Sequence, residues 1–372
     1  MRKLNIASIS PPPIDSAAFY RINKIDYILK KNGHNVKNIY YSKNKSRLFI
    51  NEYKNKDIID INLFNVHLNS FKLFLNNNPD IVLGNTHYGA YCSLTAKILN
   101  IPIVFDMHGA LIEEMKTIET KKNIKYFVRY LLNKMLDYLL INWASKIICV
   151  SEKMIQYLID NKIPNNKLCY VPNCADLNIF KESKEEEISK LKEYFGISKS
   201  LIFGYAGGKQ RWQGLEIFLD AAYSINDDRI SFVIIGADYF KKDRNIIYIP
   251  RIKREELPKY YSICDVLVLP RPICLANHFA SPTKFAEYLA MKRPILATNV
   301  GDSADLIKKY NCGIVISSCT PSAIKNGIYN FLDIPEDERI KMGANARKLA
   351  ESDFSIDKME ERINKCLSDL IK

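Results

Sequence analysis

The feature that most constrains this chain is a set of short, nearly unbroken apolar runs arranged in two series. The first series comprises Leu4–Ser8, Val36–Tyr41, Ile81–Gly84, Ile103–Asp106, Ile147–Val150 and Leu168–Val171. The second comprises Leu201–Tyr205, Phe232–Gly236, Ile246–Ile249, Val266–Leu269, Ile295–Ala297 and Ile314–Ile316. Strands with one wet face alternate apolar and polar residues. Continuous runs belong instead to strands covered on both faces, as in parallel sheets. Between the runs the apolar residues space as helices, for example Ile22, Ile25, Ile28 and Leu29 ahead of a stop at Gly33. Alternating strands and helices define an α/β fold with parallel sheets.

A length of 372 residues exceeds one ordinary core and suits two such domains. The charged stretch Lys181-Glu-Ser-Lys-Glu-Glu-Glu187 suits an exposed connection. The expected division is a first domain over 1–183, a second over 184–354 and a terminal helix over 355–372 that packs back on the first. That helix is indicated by the stripe Met359, Ile363, Cys366, Leu367 and Leu370. Two doubly wound domains would face a cleft, with ligands at the carboxyl ends of the strands.

Composition narrows the functional classes. The N-terminus lacks the apolar core of a signal peptide, and the stretch Tyr138–Val150 is interrupted by Asn142, Ser145 and Lys146. No segment reaches the roughly 20 apolar residues of a spanning helix. Nine scattered cysteines without a Cys-x-x-Cys pair fit a reducing compartment, so a cytoplasmic protein is expected. A net charge of +13 fits a solvated basic surface, phosphate-bearing ligands or the anionic inner face of a membrane. No nucleic-acid recognition module accompanies it.

The most informative segment is Ser281-Pro-Thr-Lys-Phe-Ala-Glu-Tyr-Leu-Ala290, followed by Met-Lys-Arg-Pro-Ile-Leu-Ala-Thr298. It follows the run Val266–Leu269 by a short loop. Pro282 fits the first turn of a helix, where its missing N–H costs nothing. The amides of Thr283 and Lys284 would then make an anion site reinforced by the Lys284 charge. Glu287 falls one turn further. It can accept from the two hydroxyls of a ribose, or it is simply a solvated helix residue. His108, in Phe-Asp-Met-His, and His87, in Gly-Asn-Thr-His, each follow an apolar run at a strand end. His87 is the weaker acceptor-site candidate. Asp-x-Asp, Cys/His ligand spacing and Gly-x-Ser-x-Gly are absent, so nothing points to a metal site or a hydrolase elbow.

Ser-Pro-Thr-Lys-x-x-Glu-Tyr-Leu-Ala with Arg-Pro-Ile-Leu-Ala-Thr resembles the donor-site segment of retaining glycosyltransferases of family 4, which have the GT-B fold. Glu255-Glu-Leu-Pro-Lys-Tyr-Tyr-Ser-Ile-Cys-Asp-Val-Leu-Val-Leu-Pro270 resembles the helix and strand before that segment. Val150-Ser-Glu-Lys-Met, Val171-Pro-Asn-Cys-Ala-Asp and Phe180 resemble the end of the family's N-terminal domain, and Gly33-His-Asn-Val the end of its first helix. The match runs in order along almost the whole chain.

The resemblance implies two Rossmann-like domains and metal-independent, retaining transfer of a sugar. The donor would be a UDP- or GDP-sugar acting as co-substrate, with no other cofactor. The acceptor would be a glycan, a lipid-linked species or a cell-surface polymer. It also implies roles. Ser281, Pro282, Thr283, Lys284 and Glu287 would hold the donor, with Arg251 and Ile252 at its base. His108 would lie near the sugar. In the loop Gly204–Gly214 the family's Arg and Lys are replaced by Tyr205 and Gln213, so Lys209 and Arg211 would neutralise the departing diphosphate, beside a close backbone approach at Gly207 and Gly208. The family's Gly-rich first loop is replaced by small residues, with Ser16 able to admit phosphate and Arg21 an anionic acceptor. Phe279 stands where the family has a first glutamate, with Asn277 and His278 close by. A nucleotide-sugar epimerase, a sugar phosphorylase and a non-catalytic partner subunit share the fold and remain alternatives.

One stretch carries a separate expectation. Between Met115 and Lys146, residues Ile124, Phe127, Val128, Leu131, Met135 and Leu139 form an apolar stripe, flanked by Lys121, Lys122, Lys125 and Arg129. The stripe belongs either to a core-packed helix with a wet basic face or to a surface that docks on an anionic leaflet.

Overall fold

A computed structural model of the chain describes residues 2–11, 17–42, 57–60, 65–118, 123–197 and 200–370. It divides into two compact units, Met1–Pro172 with Glu360–Lys372, and Asn173–Met359.

The first unit holds strands β1 (Asn5–Ser10), β2 (Asn35–Ser42), β3 (Asp57–Asp60), β4 (Ile81–Asn85), β5 (Ile103–Met107), β6 (Lys146–Cys149) and β7 (Leu168–Tyr170). Their order is β3-β2-β1-β4-β5-β6-β7 and every pairing is parallel. Ile6 of β1 stands between Val36 and Ile81 in register. The order reverses between β1 and β4, so their carboxyl ends form a switch point. The preceding helix Ala17–Lys31 closes where Gly33 takes a φ of 82° and His34 N–H donates to the Leu29 carbonyl at 3.1 Å.

The second unit holds β8 (Leu201–Ala206), β9 (Ile230–Ala237), β10 (Lys241–Asp243), β11 (Ile246–Pro250), β12 (Val266–Leu269), β13 (Ile295–Thr298) and β14 (Gly313–Ile316). Their order is β10-β11-β9-β8-β12-β13-β14, parallel except for the β10–β11 edge. The switch point lies between β8 and β12. All four residues of β12 are buried, each side chain contributing about 1.5–3 kcal/mol by leaving water.

The two parallel α/β sheets and the apolar runs coincide as expected. Edge strands β3 and β10 were not expected. The sequence of β10, Lys-Lys-Asp, is polar and largely exposed, as suits an edge strand whose charges discourage pairing with another chain. The last helix, Ile356–Ser368, begins in the second unit. From Glu360 onward it packs on the first, where Lys31 pairs with Glu360 at 2.7 Å and Lys146 with Asp369 at 2.6 Å.

The apolar stripe beyond Met115 does not enter the core. It lies on a 20-residue helix, Ile124–Trp143, whose inward side carries Tyr126, Leu140 and Ile141. Of the stripe, Ile124, Phe127, Val128, Leu131 and Met135 are more than half exposed, as is Tyr138 beside them, while Leu139 is half-buried. The core-packed reading of the stripe is therefore overturned. Polar side chains join Tyr126, Leu140 and Ile141 on the inner side: Asn133 Nδ2 meets Met115 Sδ at 3.1 Å, and Asp137 Oδ1 lies 3.1 Å from His87 Nε2. Lys121 and Lys122 lie outside the described residues. Among the described residues, no helix is long and apolar enough to cross a membrane.

Candidate functional site

In the second unit, the carboxyl end of β8 and the helix Thr283–Ala290 bring the expected donor residues together. Pro282 sits one position before the helix, extended at φ −65° and ψ 124°, and its carbonyl accepts from Phe285 N–H at 3.0 Å. The expectation that Pro282 opens the first turn is thus corrected by one residue. The first amides of the helix remain those of Thr283 and Lys284, which have no intrahelical partners. Ser281 is used to fix this entry: its hydroxyl accepts from Asn173 N–H at 3.2 Å and its carbonyl from Asn173 Nδ2 at 2.6 Å.

Lys284 is the centre of the arrangement. Its Nζ donates to Gln213 Oε1 at 2.7 Å and lies 4.4 Å from the centroid of the Tyr205 ring. The Tyr205 hydroxyl is 3.1 Å from the Gly208 carbonyl and 3.2 Å from Gln213 Oε1. Gly207 has a φ of 151°, a backbone conformation that residues with a side chain rarely adopt, and a Cβ there would crowd the Lys284 ammonium. The site needs a residue without a side chain at that position. Burial, aided by the positive charge of Arg271, pushes the Lys284 ammonium down to about 7 despite the partial offset from Glu287.

Glu287 is only 5% exposed, so it is no solvated helix residue. Its Oε1 pairs with Arg254 and its Oε2 accepts from the Tyr261 hydroxyl at 3.2 Å. Burial and the Glu287 charge hold the Tyr261 phenol well above its ordinary range, which keeps it a donor. Arg254 also lies 5.4 Å from the Phe180 ring. Each carboxylate oxygen has two lone pairs, so both retain acceptor capacity toward a further hydroxyl.

The expectation for the loop cations changes. Lys209 is exposed and ion-paired with exposed Asp238, and Arg211 is also exposed. The cation set against Tyr205 and Gln213 is Lys284, delivered from the helix rather than from the loop. Gly208 supplies its carbonyl to Tyr205 as described. Arg251 is exposed with its amide bonded to the Ala237 carbonyl at 3.2 Å, and Ile252 packs at the edge of the core. Asn277 is a strut: its Oδ1 accepts from Arg271 Nε at 3.0 Å and its Nδ2 donates to the Pro272 and Trp212 carbonyls at 2.8 and 3.0 Å. Phe279 is buried.

In the first unit, strand ends gather a second group. Asp106, on β5, is fully buried. Arg21 Nε and Nη2 donate to its carboxylate at 3.0–3.1 and 2.8 Å, and His108 Nε2 lies 2.6 Å from Oδ2. Burial alone would raise the Asp106 carboxyl, but the charges and hydrogen bonds of Arg21 and His108 outweigh it and hold the group below the usual carboxylate range. Arg21 is only 3% exposed, which corrects its assignment as an acceptor contact. It serves as the buried counter-charge of Asp106, while His108 keeps part of its ring exposed. His87 is buried with its ring edge-on to Phe105 at 5.2 Å, and so is likewise turned inward. Ser16 lies outside the described residues.

Sequence reasoning missed Arg254, Tyr261 and Asp106. The period of two along β5 puts Asp106 and His108 on one side and was a usable signal. Nothing local tied Arg254, more than thirty positions upstream, to Glu287.

Comparison with known proteins agrees with the fold. Residues 187–349 match the family model for glycosyl transferases group 1, and residues 30–179 that for glycosyltransferase family 4. The chain is 23% identical over 319 residues to the capsular polysaccharide biosynthesis glycosyltransferase CapM of Staphylococcus aureus, covering 81% of this chain and 79% of that one. It superposes on the UDP complex of Anabaena Alr3699/HepE with a TM-score of 0.75 at 15% identity, covering 98% and 100% of the two chains. Sucrose-phosphate synthase of Thermosynechococcus elongatus gives a TM-score of 0.78 at 15% identity, covering 100% and 99%.

Proposed function

We propose that this chain, which belongs to the GT-B glycosyltransferases of the group 1 and family 4 type, takes its sugar from a UDP-sugar held by the second unit and transfers it with retention and without a metal ion. The observation that carries this reading is the pairing of Lys284 with Gln213 and Tyr205 next to Gly207, one helical turn from the buried carboxylate of Glu287. A nucleoside diphosphate has two parts that fit: a ribose diol for Glu287, and phosphates for the Lys284 ammonium and the amides of Thr283 and Lys284. UDP as the nucleotide draws support from the Anabaena neighbour, whose structure contains it. A glycan or lipid-linked polymer as acceptor draws support from the capsular polysaccharide relative.

In this reaction the bond from the anomeric carbon to the diphosphate oxygen breaks. A bond from that carbon to the acceptor oxygen forms on the same face. The acceptor proton passes to a phosphate oxygen of the departing nucleotide. The protein's own task is to hold and neutralise that leaving group, and Lys284 with the helix amides does so. In the first unit, Asp106 orients the part-exposed ring of His108 at the end of β5, a polar group that can meet an acceptor.

A thermal-shift panel of UDP-, GDP-, ADP- and CMP-sugars in EDTA tests the donor reading. A ligand at 100 times its dissociation constant adds about 2.7 kcal/mol of stability. A shift with UDP-sugars that disappears in Glu287→Gln supports it. No shift with any nucleotide sugar removes it. The anomeric configuration of the product, read by NMR, decides between retention and inversion.

A further inference from the structure

The helix Ile124–Trp143 turns its apolar side away from the unit that carries it. Ile124 is 76% exposed, Leu131 68% and Met135 59%, with Phe127, Val128 and Tyr138 beside them on the same face. A soluble surface seldom leaves so continuous an apolar stripe uncovered. Exposed cations border it, Lys125 and Arg129 along one flank and Lys134 along the other. The helix has one acidic residue, Asp137, and that residue faces inward to His87. We propose that this face is a membrane-docking surface, lying flat in the headgroup layer of a bilayer rich in anionic lipid.

Three properties select that occupant. The helix of 20 residues is about 30 Å long, and an apolar face of this kind sinks roughly 5–10 Å into the acyl boundary. The flanking lysine and arginine stems then lie along the apolar layer with their charges at headgroup level. A second copy of the chain is a poor fit, because pairing through this face would set its cationic flanks against each other in a protein of net charge +13. An anionic headgroup layer meets the same flanks favourably.

The test uses the full chain in co-sedimentation with vesicles of phosphatidylcholine, with and without phosphatidylglycerol. Binding is expected only with phosphatidylglycerol and should weaken as salt rises. Lys125→Gln with Lys134→Gln removes two cations and should lower binding about 30-fold. Leu131→Asn with Met135→Asn should abolish it, while thermal melting, which reports folding of these surface variants, stays unchanged. Absence of wild-type binding, or equal binding by both variants, overturns the proposal. So does a wild-type dimer in sedimentation velocity that becomes monomeric in Leu131→Asn/Met135→Asn without any vesicle binding, since a second copy would then be what covers the face.

Discussion

The ammonium of Lys284 stands 4.4 Å from the centroid of the Tyr205 ring and 2.7 Å from Gln213 Oε1. Neither Tyr205 nor Gln213 carries a charge, and the cation beside them is Lys284, at the start of the helix Thr283–Ala290. Lys284→Met should therefore cost turnover about 10²–10³-fold, the usual effect of removing a group that stabilises developing negative charge. Lys209→Ala and Arg211→Ala, which alter exposed and screened charges, should cost far less. Steady-state rates of the three variants with a UDP-sugar check the order. A larger loss at Lys209 than at Lys284 would return the role to the loop.

The titration of Lys284 gives a pH signature. Its ammonium titrates at about 7 in the free protein, below the 10.5 of an unfolded lysine. The unfolded chain thus binds more protons between those values, and this group makes stability rise with pH across that window. For a phosphate ligand the sign is opposite. The charged amine binds it, so affinity should fall as pH rises through about 7, and binding of UDP at pH 8 should take up a proton. Calorimetry in buffers of different ionisation enthalpy measures that uptake, which Lys284→Met should abolish.

Glu287 can be tested only with attention to Arg254. Glu287 is buried and the Arg254 side chain only 12% exposed, so Glu287→Ala removes the carboxylate that faces this guanidinium and should destabilise the fold by about 3–5 kcal/mol. Glu287→Gln keeps the shape and one acceptor while removing the charge. It should retain more stability than Glu287→Ala and still lose the nucleotide-induced thermal shift. Parallel melting curves with and without UDP separate the two effects.

Asp106 offers a fourth test. Asp106→Asn strands the Arg21 charge in the interior of the first unit and should cost about 3–5 kcal/mol in urea unfolding. Because the folded carboxyl is held below its unfolded range, the stability it contributes is present at neutral pH and lost as pH falls below about 4. The variant should lack that portion of the acid response. A response identical to that of the wild type would assign the acid sensitivity elsewhere.

The sequence by itself determined the frame of this protein. Continuous apolar runs such as Val266–Leu269 can be satisfied only by strands covered on both faces, and their alternation with helical periods admits little besides two parallel α/β sheets. Lys284 and Glu287 were legible for a related reason: a helix start after a strand fixes which residues stand near a strand end. What only the tertiary structure decided are the long-range pairings. Arg254 with Glu287, Arg21 with Asp106, and Lys284 rather than Lys209 against Tyr205 each join segments far apart in the chain, and no local periodicity encodes them. The direction of the stripe on Ile124–Trp143 is of the same kind. A helical period reveals that a face is apolar, but whether that face meets the core or the solvent depends on which side the neighbouring helices occupy.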